Sequence, residues 1–322
     1  MKGLRLNGLL AIFLVIVMIL SLAAGKIWVP PSAWLGNDLS ALIIMELRLP
    51  RILLGAAIGA ALGMAGATMQ GYLRNPLADP GVFGVSASSA LGAVTSLYFG
   101  YAVTAWLLPA FAMAGAGIGM ALLALLAGRS GSLILFTLAG VILSSLAGSL
   151  TSLMISLAPT PFATTEIVTW LMGALTDRSW DDVKLAVPII AVGMLFLIAT
   201  GHSLDALTLG EDAARSMGVN VLRLQWFAVL GVGLTVGASV AAAGIIGFVG
   251  LIVPHLVRPF AGHRPSAVLL PSALAGALLV VGADSVVRIL PSVSELRLGI
   301  AMSLLGAPFF IALLFKMHRE LA

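Results

Sequence analysis

The feature that most restricts what this chain can become is a succession of apolar runs divided by short polar breaks, near 8–24, 52–70, 82–108, 109–127, 133–157, 185–200, 226–243, 244–257, 267–288 and 298–315. A helix needs about 20 mostly apolar residues to cross a bilayer. The pattern therefore predicts an all-α polytopic membrane protein with about ten transmembrane helices, a single domain over residues 1–322. A β-barrel would show alternating segments of ~10 residues, which the sequence lacks. Composition agrees: the chain is 60% hydrophobic and 9% charged, with a mean hydropathy of +1.12, whereas water-soluble domains carry about 25% charged residues. The run at 244–257 is short and holds Pro254, which predicts a broken or tilted segment, and 164–175 reads as an amphipathic piece at the surface before the sixth span.

An even number of spans places both termini on one side. That side would carry ten basic residues, Lys2, Arg5, Arg74, Arg129, Arg215, Arg223, Arg258, Arg264, Lys316 and Arg319, against seven on the other, Lys26, Arg48, Arg51, Arg178, Lys184, Arg288 and Arg297. The bias puts the termini in the cytoplasm and accounts for the net charge of +4 without nucleic acid as a partner. The first run is longer than the ~7–15 residues of a signal-peptide core, so it reads as a span. Arg48, Arg51 and Arg288 fall on the side where basic residues are disfavoured, and some other role must account for them.

The chain has no cysteine, which excludes disulfides, thiolate metal sites and cysteine nucleophiles. Its histidines, His202, His255, His263 and His318, share no metal-ligand spacing with a carboxylate. His255, inside an apolar run, reads as a structural residue; Asp177, Asp181 and Asp182 read as a solvated face. An intramembrane enzyme would need a nucleophile with its base or a carboxylate pair. A secondary transporter would need ionisable groups at midplane, a description only Asp284 approaches, with Arg288 as its partner four residues on. None of the four lysines ends a phosphate loop, so ATP hydrolysis is not expected of this chain.

Glycines 55, 59, 63 and 66 repeat at helical spacing, a pattern that lets helices approach closely in lipid. The longest polar stretch, 201–220, predicts a short helix: Glu211 and Asp212 suit its first turn, Arg215 follows Glu211 by four, and Gly218 ends it. A plain connection needs only a few residues, so the stretch is either a surface that meets a cytoplasmic partner or a solvated loop.

Leu209-Gly210-Glu211-Asp212-Ala213-Ala214-Arg215-Ser216-Met217-Gly218-Val219 resembles the coupling segment of the permeases of type II ATP-binding cassette importers for iron siderophores, haem and vitamin B12. The resemblance extends to Arg48-Leu49-Pro50-Arg51, to Gly66-Ala67-Thr68-Met69-Gln70-Gly71 with Arg74-Asn75-Pro76-Leu77-Ala78-Asp79-Pro80, and to Gly247-Phe248-Val249-Gly250-Leu251-Ile252-Val253-Pro254-His255-Leu256-Val257-Arg258. Later come Ala283-Asp284 with Arg288, Glu295-Leu296 with Gly299, and Gly306-Ala307-Pro308. Arg297 departs from the proline common there.

The resemblance implies a non-catalytic permease of the inner membrane, paired with a second copy or a related subunit. Two cassette ATPases would hold ATP and magnesium, no cofactor would be bound by this chain, and a periplasmic binding protein would deliver a bulky metal chelate, an iron siderophore, haem or a corrinoid, with an iron chelate the leading expectation. It assigns ATPase coupling to residues 209–218 within a segment at 201–224. Docking of the binding protein falls to Arg48, Arg51 and Arg288, although Asp284 offers Arg288 an internal salt bridge instead. On the docking reading, Arg48→Glu with Arg51→Glu weakens docking and leaves the fold intact. Asn75, Pro76 and Leu77 onward to Gly84, and the segment from Gly131 to Gly140, are placed near the inner gate; ordinary helix termination explains Asn75-Pro76 equally well.

Overall fold

A computed structural model describes residues 2–34, 36, 38–104, 106–127, 133–291 and 295–321; Arg129 and Gly131 lie outside them. Each of the ten apolar runs contributes helix. The order is α1 (Lys2–Ala23), α2 (Leu39–Leu42), a π-helical stretch (Ile43–Arg48) running directly into α3 (Leu49–Tyr72), α4 (Val85–Tyr98), α5 (Leu107–Ala127), α6 (Leu133–Ser156) and α7 (Pro161–Leu171). Then come α8 (Trp180–Ala199), α9 (Gly201–Leu207), α10 (Glu211–Ser216), α11 (Val221–Ala243), α12 (Val249–Ala261), α13 (Pro265–Ile289) and α14 (Leu298–Leu321). Among the described residues, seven stretches are long and apolar enough to cross a membrane, and α12 and 298–313 are shorter apolar helices. The chain is a multi-pass membrane protein.

The run 82–108 departs from the single span expected of it. Gly84 and Gly100 take left-handed conformations, φ 80° and 72°, and cut the run into a 3-10 turn (Pro80–Phe83), the 14 residues of α4 and a second 3-10 turn (Tyr101–Val103). Pro254 does not break its segment. The break comes earlier, where Gly244 and Phe248 have φ 72° and 68°, and Pro254 lies within α12. The polar stretch also differs from a loop, since residues 201–207 continue α8 as α9 in one 28-residue apolar stretch, Trp180–Leu207.

Helix α3 is the axis of the bundle, buried almost without interruption from Leu54 to Tyr72. Small residues make that possible where α13 crosses it. A Cβ on Gly59 would lie 2.2 Å from the Gly276 carbonyl oxygen, and one on Gly276 would lie 2.1 Å from that of Gly59. In lipid such close backbone contact supplies the association energy that the hydrophobic effect supplies in water. Gly59→Ala should therefore force the helices apart and cost about 3 kcal/mol, read as a lower unfolding midpoint in detergent. Gly282→Ala on α13, where a Cβ meets nothing within 4 Å, should leave the midpoint unchanged; equal midpoints for the two variants would refute the account.

Candidate functional site

Two polar clusters mark opposite ends of α3, whose 24 residues give a length of about 36 Å. At its start, the ends of α1 and α13, the π-helical stretch, the segment before α8 and Glu295 surround a cavity of about 300 Å³. Lys26, Arg48, Arg51, Arg178 and Arg288 line it, with Asp177 and Glu295 as the acidic residues. All three arginines singled out from sequence thus meet at one place. None is a free socket, however: they are 8%, 8% and 4% exposed.

Each is engaged for a local reason. Helix α1 has no basic residue in its last turn, and its terminal carbonyls need donors from outside the helix: the Val29 N–H reaches the Ala23 carbonyl at 3.2 Å, and Arg48 donates to the carbonyls of Leu22 at 2.6 Å, Ala23 at 2.8 Å and Ile27 at 2.5 Å. Arg51 grips Asp284 as a fork, Nε to Oδ2 at 3.0 Å and Nη2 to Oδ1 at 2.8 Å, and the same Nη2 reaches Glu295 Oε2 at 2.9 Å. Arg288 lies one turn beyond Asp284, with Nε 3.2 Å from Oδ2, and donates from Nη2 to Ser21. Its Nη1 and the Nε of Arg178 are buried with no hydrogen-bond partner. Burial raises the Glu295 carboxyl, but the hydrogen bond and charge of Arg51, helped by Arg288 and Thr176, outweigh it and hold the group below the usual range.

This geometry corrects the expectation for Arg48→Glu with Arg51→Glu. Glutamate at 51 would face Asp284 and Glu295, and glutamate at 48 would replace a donor to three carbonyls with an acceptor, so the fold itself would suffer. Asp177 is exposed, as the solvated-face reading expects, and stands at the mouth of the cavity. Asp182 instead closes a capping box with Ser179 at the start of α8. Ser21, Glu295 and Arg178 carried no assigned role in the sequence; a missing C-terminal cation on α1 was the one local sign that a distant donor was required.

At the far end of α3, residues 209–218 form a compact knob. Gly210 and Gly218, φ 104° and 85°, bracket α10, and Arg215 pairs with Glu211 at 2.6 Å. Ala214 is fully buried, Ala213 partly so, whereas Asp212, Arg215 and Ser216 are exposed. Leu209 and Met217 are 67% and 60% exposed, two apolar side chains on a charged surface. The knob is anchored through α9, where Asp205 accepts from the Ser266 backbone at 2.9 Å and from its hydroxyl at 2.5 Å.

Beside this end lies the turn after α3. Asn75 Oδ1 accepts from the Leu77 N–H at 2.9 Å across Pro76, and Asp79 accepts from the Gly81 N–H at 2.7 Å; burial raises the Asp79 carboxyl against that bond. Gly84 packs on α6, where a Cβ would lie 2.8 Å from Leu143 Cβ and 3.4 Å from the Gly140 carbonyl oxygen. The structure therefore brings Gly84 and Gly140 together. Phe136 links the region, edge-on to Tyr72 at 5.4 Å and tilted on Phe83 at 5.3 Å. His255 stands edge-on to Phe309. Among the described residues no cluster of His, Cys, Asp or Glu could hold a metal ion.

Known proteins match this chain along its length. The vitamin B12 import system permease protein BtuC of Vibrio cholerae is 39% identical over 307 residues, covering 94% of this chain and 91% of the relative. The Fe(3+) dicitrate transport system permease protein FecD of Escherichia coli is 38% identical over 305 residues, 93% and 95% of the two chains. A solved metal-chelate type ABC transporter in an inward-facing conformation superposes with a TM-score of 0.87 at 32% identity, over 98% of this chain and 99% of the other. The pattern of the FecCD transport family fits residues 13–316, and the chain belongs to that family.

Proposed function

We propose that this chain is the permease subunit of an ATP-driven importer for a bulky metal chelate. A periplasmic binding protein docks over the arginine-lined cavity, and two cassette ATPases, holding ATP and magnesium, engage α10. The termini are cytoplasmic, and a second permease, identical or related, completes the path. The observation that carries this reading is the pairing, at opposite ends of α3, of a five-cation cavity with an anchored knob bearing exposed Leu209 and Met217, in a chain without a phosphate loop. Such a cavity fits acidic side chains, which fork onto guanidinium groups and set register. The relatives' cargoes, vitamin B12 and iron(III) dicitrate, share a metal already enclosed by its ligands, and an iron chelate is the leading candidate here. Gly84, packed against Gly140, belongs to the proposed inner gate, with the Asn75-Pro76-Leu77 turn beside it. A secondary transporter is disfavoured because Asp284, the carboxylate it would use, is held by Arg51 and Arg288.

Co-purification with a cassette ATPase and a periplasmic binding protein of the same organism, followed by uptake into proteoliposomes, tests the whole. Uptake should require ATP and both partners. Lys26→Glu with Arg178→Glu reverses two cations of the cavity outside the Arg51–Asp284–Arg288 cluster, and should weaken binding-protein affinity about tenfold and flatten its salt dependence. Unchanged affinity and salt dependence would remove the cavity from the interface. Uptake without an ATPase would remove the importer reading.

A further inference from the structure

Arg51 has two acidic partners of unequal permanence. The Asp284 side chain is 3% exposed and held from both sides, by the Arg51 fork and by Arg288. The Glu295 side chain is 21% exposed, stands in the cavity wall, and has Thr176 as its other partner, through a long 3.4 Å hydrogen bond. We propose that Glu295 is a removable internal occupant of the docking seat: an acidic side chain of the binding protein replaces it on Arg51, and its release is passed to the start of α14.

The inference rests on the docking reading and adds its regulation. Stripping water from an unpaired guanidinium is costly, whereas exchanging one carboxylate for another keeps Arg51 paired throughout. An internal occupant also sets a threshold, since a weakly or wrongly placed acid does not displace it. Asp284 stays in place during the exchange and keeps α3 and α13 together.

Glu295 lies three residues before α14, whose Ile300 and Ala301 N–H groups bond back to the Arg297 carbonyl at 3.0 and 3.2 Å. That same first turn has no slack: the Gly299 N–H donates to the Gly173 carbonyl at 3.1 Å, and a Cβ there would lie 2.2 Å from the Met172 carbonyl oxygen. Thr176, the second partner of Glu295, follows Gly173 by three residues. The segment 173–176 thus holds both Glu295 and α14, and loss of the first contact reaches the second without crossing the bundle.

Glu295→Gln in the assembled transporter provides the test, with the purified periplasmic binding protein that co-purifies with it as probe. Affinity should rise about fivefold or more, because no internal carboxylate competes. Thr176→Val, which removes only the second partner, should shift affinity the same way by less and covers the case in which Glu295→Gln fails to fold. A native chain without cysteine allows spin labels at Leu195→Cys and Leu304→Cys, both exposed positions away from the cavity. Docking should change their separation, and Glu295→Gln should show the docked separation before the probe is added. Unchanged or lower affinity in both variants, or the undocked separation in Glu295→Gln, overturns the inference. If Lys26→Glu with Arg178→Glu still weakens docking, the docking reading survives that failure; if it does not, the docking reading falls as well.

Discussion

Asp284→Asn should destabilise the folded permease by about 3–5 kcal/mol, the range for a buried ion pair broken from one side. The substitution keeps shape and removes charge, leaving Arg51 and Arg288 buried at 8% and 4% exposure and facing each other across a neutral amide. The lost contacts join α3 to α13, so the unfolding midpoint in detergent should fall by several degrees. Arg51→Gln alone should cost a similar amount. The two together should cost clearly less than their sum, because the second change removes the charge stranded by the first. Additive losses would mean that Arg51 and Asp284 act independently, contrary to their 2.8 Å contact.

Ala214→Pro should abolish transport while leaving the spans and the docking cavity intact. The Ala214 N–H donates to the Gly210 carbonyl at 3.0 Å, and its own carbonyl accepts from Val219 at 3.0 Å. Proline removes the first bond and clashes with the preceding turn, at about 3 kcal/mol or more. Because Ala214 is fully buried, the larger ring would also displace α10 from its support. The expected result is retained membrane insertion and binding-protein docking, with uptake lost and cargo-stimulated ATP hydrolysis reduced. Transport at the parental rate, with the ATPase still bound, would make the segment a connector only.

What was legible in the sequence follows the reach of the interactions concerned. Asp284 and Arg288 are four apart on one helix, and helical geometry alone brings them together. The same local rule placed Glu211 with Arg215 and located α10. Arg51 finds Asp284 across 233 positions, and no local period announces that; the sequence offered it as a cation in need of a partner and left the partner open. The apolar run 82–108 misled because hydropathy does not register left-handed glycines, and Gly84 and Gly100 divide it. The glycine spacing in α3 did foretell a close crossing. That the partner would be Gly276 depended on the final packing.

The attachment of α1 has a consequence for synthesis. Its end is fastened by Arg48, and its Ser21 by Arg288 and by Ser285, whose hydroxyl lies 264 positions downstream at 2.8 Å. Chains emerge from the ribosome at about 5–20 residues per second, so an interval of that length occupies roughly 10–50 s. Throughout it α1 is tied at its end by Arg48, while the face that packs on α13 is solvated by lipid. A chain terminated before α13 would therefore leave α1 held through Arg48 alone, without its Ser21 anchors, a loosely attached helix open to the proteases that clear incomplete products.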